Sequence, residues 1–307
     1  MKRSMIAVLV STMFVGAVGA QPKPADPWLA RPVDEKTFKT YLDFFAYERQ
    51  LPFDTRVTKT ENDQGLVREW LSFESIRGVR VTATLTEQPG GAPGKKPAII
   101  VLHGGVARGK EGAGHFAALF ARAGFSVLAI DLPHFGERAS GLLTAFSEQE
   151  KHEKLYNEPS TYLSWITQLT KDVRRSYDLL VAERGADPKR IALVGISRGA
   201  IAGSIAGAVE NRIAAVTLLF GGHFDALETG HLPAACPANY IGRIAPRPLL
   251  MINATQDSDM IRGSSVEPLF KVAKQPKQII WTDGGHMFMT EEHRAAIMQW
   301  LRGVLKN

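Results

Sequence analysis

The sequence predicts an α/β fold: a mostly parallel central sheet with helices on both faces and antiparallel strands on its N-terminal side. Three observations carry this. Between residues 98 and 286 the chain holds six short, continuously apolar runs, which is how strands buried on both faces read. Helical patterns alternate with these runs, and that alternation is the signature of parallel strands joined by crossovers. Ahead of them, residues 66–75 and 78–85 alternate apolar with polar, as half-buried antiparallel strands do.

The elements follow in order. The chain has 307 residues, 45% of them hydrophobic and 22% charged, a globular composition with length enough for one large core. It opens MKRSMIAVLVSTMFVGAVGA: two cations, an apolar stretch over residues 5–15, then small residues ending at Ala20. That is the pattern of a secretory signal peptide cut near Ala20, and it predicts a periplasmic or secreted protein. The apolar stretch is short beside the roughly 20 residues of a membrane span, so no stable membrane anchor is expected. Residues 21–65 read as a proline-rich lead-in and a helix, KTFKTYLDFFAYER. Residues 66–307 then read as one α/β domain, with a turn-rich loop EQPGGAPGKKP after the alternating strands.

The first core strand is AIIVLHGG, followed by a helix over residues 111–123 closed by Gly124. FSVLAIDLP is the second run. A long amphipathic helix comes next, with Leu163, Ile166, Leu169, Val173, Tyr177 and Leu180 on one stripe. IALVGIS, AAVTLLFGG, PLLMINATQD and QIIWTDGGH complete the strands, and a last helix over residues 291–304 buries Ile297, Leu301 and Val304.

Charge and cysteine content exclude some functions. The formal charge is +6, but Lys2 and Arg3 belong to the leader and no basic run reaches five residues, so no nucleic-acid partner is expected. Cys236 is the only cysteine, so no internal disulfide can form, and its place between two prolines suits packing in a loop. No metal site is expected. The sequence carries no signature of oligomeric state.

Parallel sheets present their functional loops at the carboxyl ends of the strands. One of these ends reads Gly195-Ile196-Ser197-Arg198-Gly199. After a buried strand and before a helix, G-x-S-x-G forms a nucleophile elbow, a strained turn that raises the serine hydroxyl above the sheet. A serine needs a base, and of the eight histidines only His286 follows a buried strand late in the chain. The base needs a carboxylate to fix its tautomer; Asp257 is first after its strand, with Asp259 as the alternative. The order Ser197, Asp257, His286 is the nucleophile–acid–base order of one fold class. The backbone amides of Arg198 and Gly105 are the candidate oxyanion donors.

Two segments, residues 138–164 and 223–247, are candidates for a cap over the site. Their aromatic residues Phe146, Tyr156, Tyr162, Trp165, Phe224 and Tyr240 either line a pocket or pack the segments down. His134, His223, Trp281 and Phe288 are candidate substrate-lining residues, with Met287 beside Phe288. The Arg198 side chain has two readings, an anion-binding group or a salt bridge.

HGG, GISRG, MINATQD and GGHMF, in this order and spacing, resemble the α/β-hydrolase superfamily. GKEGAGHFAALFARAGFSVLAIDLPHFGER and YIGRIAPRPLLMINATQD are similar to its dienelactone hydrolase-like and acetyl xylan esterase-like branch. The resemblance implies the α/β-hydrolase fold, a serine triad and catalysis without cofactor or metal. Dienelactone hydrolases proper use a cysteine nucleophile, so Ser197 points to esterase chemistry. Ala254 stands where relatives usually have glycine, and Phe135 where a histidine is common. The expected activity is an exported serine hydrolase acting on small-molecule carboxylic esters. A peptidase or amidase with the same triad, and a non-catalytic binding protein on the same fold, are the alternatives.

Overall fold

A computed structural model describes residues 26–90, 95–139, 147–228 and 230–306. The leader, its cleavage point near Ala20 and Phe146 lie outside the described residues. The strands are β1 (Arg56–Asp63), β2 (Leu66–Ile76), β3 (Val79–Glu87), β4 (Lys96–Leu102), β5 (Ser126–Ile130), β6 (Ala186–Ile196), β7 (Ala215–Leu219), β8 (Leu249–Ala254) and β9 (Lys277–Thr282). They form one sheet in the order β1-β2-β3-β5-β4-β6-β7-β8-β9. β1, β2, β3 and β5 pair antiparallel in succession, and from β5 through β9 every pairing is parallel.

Helices cover both faces. Along the helical stretches lie α1 (Pro27–Ala30), α2 (Glu35–Leu42), α3 (Gly114–Arg122), α4 (Glu148–Lys151), α5 (Pro159–Glu183), α6 (Arg198–Val209), α7 (Glu267–Val272) and α8 (Glu291–Val304). Successive strand residues point to opposite faces, so β4 feeds both cores. Ile99 and Val101 pack with Phe116 and Phe120 of α3 and Ile297 and Leu301 of α8. Ile100 and Leu102 pack with Ile166 and Leu169 of α5 and Ile201 and Ile205 of α6. This double burial is why the parallel strands read as unbroken apolar runs.

The helices after β4 and β6 lie on opposite faces although the two strands are neighbours. The connections therefore diverge, and a crevice opens between the carboxyl ends of β4 and β6. HGG ends the first strand and GISRG the second.

Two elements differ from the sequence reading. The sheet starts at Arg56, ahead of Leu66: β1 is an edge strand whose eight residues are all exposed. Its run RVTKTEND has no apolar face to reveal it, and such charges blunt an edge against further pairing. The helix expected over KTFKTYLDFFAYER stops early, as α2 and a 3₁₀ turn over Asp43–Phe45. Beyond it Arg174 Nη1 donates to the Phe45 carbonyl at 2.9 Å, an acceptor that a continued helix would have given to the Arg49 amide. Among the described residues no helix is long and apolar enough to cross a membrane.

Candidate active site

Ser197 sits between β6 and α6 with φ 51° and ψ −116°. This is a left-handed conformation that a residue with a side chain adopts at a cost of about 1–3 kcal/mol. The surroundings enforce it. The Ser197 amide donates to Leu219 O at 2.7 Å, tying the turn to β7. A Cβ on Gly195 would lie 2.3 Å from Gly199 O, and one on Gly199 would lie 2.4 Å from Leu102 O. Only glycine fits on either side, so the motif is a packing requirement of this turn.

His286 and Asp257 meet the serine. The Ser197 hydroxyl lies 2.9 Å from His286 Nε2, and His286 Nδ1 lies 2.7 Å from Asp257 Oδ2. An ionised carboxylate only accepts, so Nδ1 carries the proton and Nε2 is left to accept from the hydroxyl. The other Asp257 oxygen accepts the amides of Asp259 and Met260, each at 2.9 Å. Burial works to raise the Asp257 carboxyl, but the His286 hydrogen bond and these amides outweigh it and hold it below its ordinary value. Burial works to lower His286; the bond to Asp257 and the charges of Asp257, Asp259 and Asp225 outweigh it, and the imidazole is held above its ordinary value. Of the two candidate acids, Asp257 is the one in contact with His286, while Asp259 is exposed and contributes its amide and a more distant charge.

The loop after β4 forms the facing wall. A Cβ on Gly104 would lie 3.4 Å from Ser197 Cβ, and one on Gly105 would lie 3.7 Å from Arg198 Cβ. Arg198 is the first residue of α6, so its amide has no partner within the helix. His103, which the sequence reading did not assign, fixes this loop. It is fully buried, its Nδ1 lies 2.5 Å from Gly104 O, and its Nε2 accepts from the Leu132 amide at 3.0 Å. Burial pulls its pKa down to about 4, so it stays neutral and keeps that tautomer.

Below the loop lies a second unassigned feature. Asp131, fully buried, accepts the Lys110 amide and Nζ, both at 2.7 Å, and the Thr82 hydroxyl at 2.7 Å. Lys110 Nζ also reaches Glu137 at 2.5 Å. The sequence signal was an aspartate ending a buried strand with GER shortly after it.

The remaining expectations fall in different places. His223 turns Nε2 to Asp26 at 3.0 Å, and the ligating atoms of Asp26, His223 and Cys236 lie within 4.8 Å of one another. His134 is half-buried with φ 70° in the turn after β5, and burial lowers its imidazole pKa. Trp281 packs on the core under the Arg262 guanidinium, 4.5 Å from its ring centroid. Phe288 is exposed two residues after His286, its ring lying over Gly284. Tyr162 stacks on Trp165 at 5.9 Å and meets Phe224 at 6.2 Å, all three buried, which is the packing alternative of the two readings of these aromatics. The Arg198 side chain is buried in ion pairs with Glu228 and Asp225.

A mostly parallel sheet of this order, with a G-x-S-x-G elbow where its connections diverge, defines the α/β-hydrolase class. Within that class the chain belongs to the acetyl xylan esterase (AXE1) family, whose model matches residues 29–221. It is a carboxylic ester hydrolase of the serine hydrolase class. No curated protein sequence matches it. Among solved structures it is similar to the acetyl xylan esterase from Paenibacillus sp. R4, at 19% identity and a TM-score of 0.71, covering 91% of this chain and 98% of that one. Acetyl xylan esterase 1 from Thermoanaerobacterium sp. JW/SL YS485 aligns at 15% identity and a TM-score of 0.65, covering 90% and 95%. A cold-adapted esterase from an Arctic intertidal metagenomic library aligns at 21% and 0.62, covering 81% and 98%. At these identities the likeness is one of fold.

Proposed function

We propose that the protein is an exported serine esterase that removes small acyl groups, acetyl first among them, through an acyl-enzyme on Ser197. His286 Nε2 takes the Ser197 proton as Oγ attacks the ester carbonyl carbon. The carbonyl oxygen becomes an oxyanion and receives the amides of Gly105 and Arg198. As the tetrahedral intermediate collapses, the ester C–O bond breaks and His286 gives its proton to the leaving alcohol. Water then repeats the sequence: His286 takes its proton, hydroxide attacks the acyl carbon, and Ser197 leaves reprotonated with release of the acid. Asp257 stabilises the imidazolium in each half. Residues 138–164 and 223–247 act as a cap on the catalytic domain of residues 66–307.

The observation that carries this reading is the unbroken hydrogen-bonded chain from Asp257 through His286 to Ser197, at 2.7 and 2.9 Å, beside a strained elbow. Family membership supports acetylated sugars as the first substrates to try. The test is a panel of acetyl, butyryl, longer-chain and sugar-acetate esters, with wild type and Ser197→Ala. Short acyl esters should be cleaved fastest, and Ser197→Ala should cleave none; retained turnover in that variant overturns the mechanism. Export is tested by N-terminal sequencing of the protein from the host's cell envelope and medium. A start near Gln21 is expected, and an intact leader on a cytosolic protein contradicts it.

A further inference from the structure

The residue after the nucleophile is an arginine, and its side chain is nearly inaccessible, at 6% exposure. The guanidinium makes three contacts at once. Nη1 pairs with Glu228 Oε1, and Nη2 lies 3.2 Å from Asp225 Oδ2. Its plane covers the Tyr156 ring, 3.7 Å from the centroid. Glu228 is fully buried and Asp225 mostly so. Both belong to the second cap segment, and Tyr156 to the first.

The partners are themselves fixed. Glu228 Oε2 accepts the Asp225 amide at 2.9 Å, and Asp225 Oδ1 accepts the Leu227 amide at 2.7 Å. Asn157 Nδ2 donates to Leu227 O at 3.0 Å, joining the two segments directly. His152 Nε2 lies 3.6 Å from Asp225 Oδ2. On the other side, the Tyr156 hydroxyl lies 4.0 Å from where a Cβ on Gly105 would stand. The Tyr156 ring thus spans from the Arg198 guanidinium to the oxyanion loop.

A buried ion pair is a poor route to stability, because desolvation costs about as much as the attraction returns. An apolar side chain would fill this volume with less penalty. What the fork adds is geometry: a planar group with five donors fixes two carboxylates and one ring in a single arrangement. That arrangement is anchored on the residue whose amide faces the developing oxyanion.

We propose that the Arg198 side chain is a positioning residue for ester hydrolysis. By clamping both cap segments onto the elbow, it holds its own amide and the Gly105 loop, through Tyr156, at the spacing the tetrahedral intermediate needs. This rests on the reading of Ser197 as nucleophile with those two amides as oxyanion donors. The clamp acts on the transition state rather than on substrate capture, so its loss lowers kcat more than it raises KM.

The test uses variants that keep the buried charge balanced: Arg198→Lys, and the double variant Arg198→Met with Glu228→Gln. Both are assayed on an acetyl ester and for affinity toward phenylboronic acid, which forms a tetrahedral adduct on an active serine. Expected is a kcat loss of about 10- to 100-fold with KM within about threefold, the scale of a slightly misplaced oxyanion donor, and a parallel loss of boronate affinity. Asp225→Asn leaves the pair with Glu228 in place, and carries the test if the other two lose the fold; its expected kcat loss is about threefold or more. Folded variants with wild-type kcat and boronate affinity overturn the proposal. Ser197→Ala in the same assay separates the failures. If it stays active, the nucleophile reading is wrong. If it is dead while the Arg198 variants are normal, only the clamp is wrong.

Discussion

Asp257→Asn is the most diagnostic single substitution, because the structure dictates which way the new amide must face. Asp257 Oδ1 accepts two backbone amides, from Asp259 and Met260, each at 2.9 Å. Only the carbonyl oxygen of an asparagine can take that place, so its NH₂ is turned toward His286 Nδ1. An NH₂ group donates, and Nδ1 must then accept, which moves the imidazole proton to Nε2. A protonated Nε2 cannot take the Ser197 proton across the 2.9 Å contact. The fold is kept while the base is in the wrong tautomer, and the loss expected for that is about 10⁴-fold in kcat, or ~5.4 kcal/mol of transition-state stabilisation. The assay is steady-state hydrolysis of p-nitrophenyl acetate, with Asp259→Asn beside it. Asp259 does not contact the imidazole, so its variant should stay within about threefold of wild type. A loss below tenfold for Asp257→Asn, or an equal loss for Asp259→Asn, refutes the assignment of the acid.

Three further outcomes are expected. His286 must be neutral to act as base and is held above its ordinary value of 6.5, so kcat/KM should rise with pH through a midpoint above 6.5 and be lost on the acid side. Asp259 is one of the charges that hold it up, so Asp259→Asn should move the midpoint down in a pH–rate profile; a midpoint at or below 6.5 in wild type contradicts the account. Lys110→Met leaves the Asp131 carboxylate buried without its cation and should cost about 3–5 kcal/mol in urea unfolding. Gly199→Ala drives a Cβ to 2.4 Å from the Leu102 carbonyl and should lower stability by about 1–3 kcal/mol on thermal denaturation, with activity falling alongside as the oxyanion loop is pushed away.

Much of the sheet was legible because burial on both faces leaves so plain a mark. β4, β5, β7 and β8 read as unbroken apolar runs, and α5 and α8 announced themselves by their stripes. β1 was not legible, since an exposed edge strand has no apolar period. The early end of α2 was hidden for a different reason: Arg174, more than a hundred residues away, takes the Phe45 carbonyl that a continued helix would need. The same division runs through the site. Ser197, Asp257 and His286 each follow the carboxyl end of a strand, which is what makes them readable. His103, Lys110 and Asp131 act through loop contacts whose partners have no fixed spacing. The Arg198 side chain was ambiguous for that reason too, because Asp225 and Glu228 lie in an irregular loop and only the folded chain brings them to it.

The central claim is that Ser197 is an activated nucleophile. The most direct measurement is peptide mass spectrometry after reaction with a fluorophosphonate, on wild type and Ser197→Ala. The account predicts one adduct, on the peptide carrying Ser197, formed as ester hydrolysis is lost and absent from the variant. An adduct on another residue, or hydrolysis surviving full modification of Ser197, contradicts it.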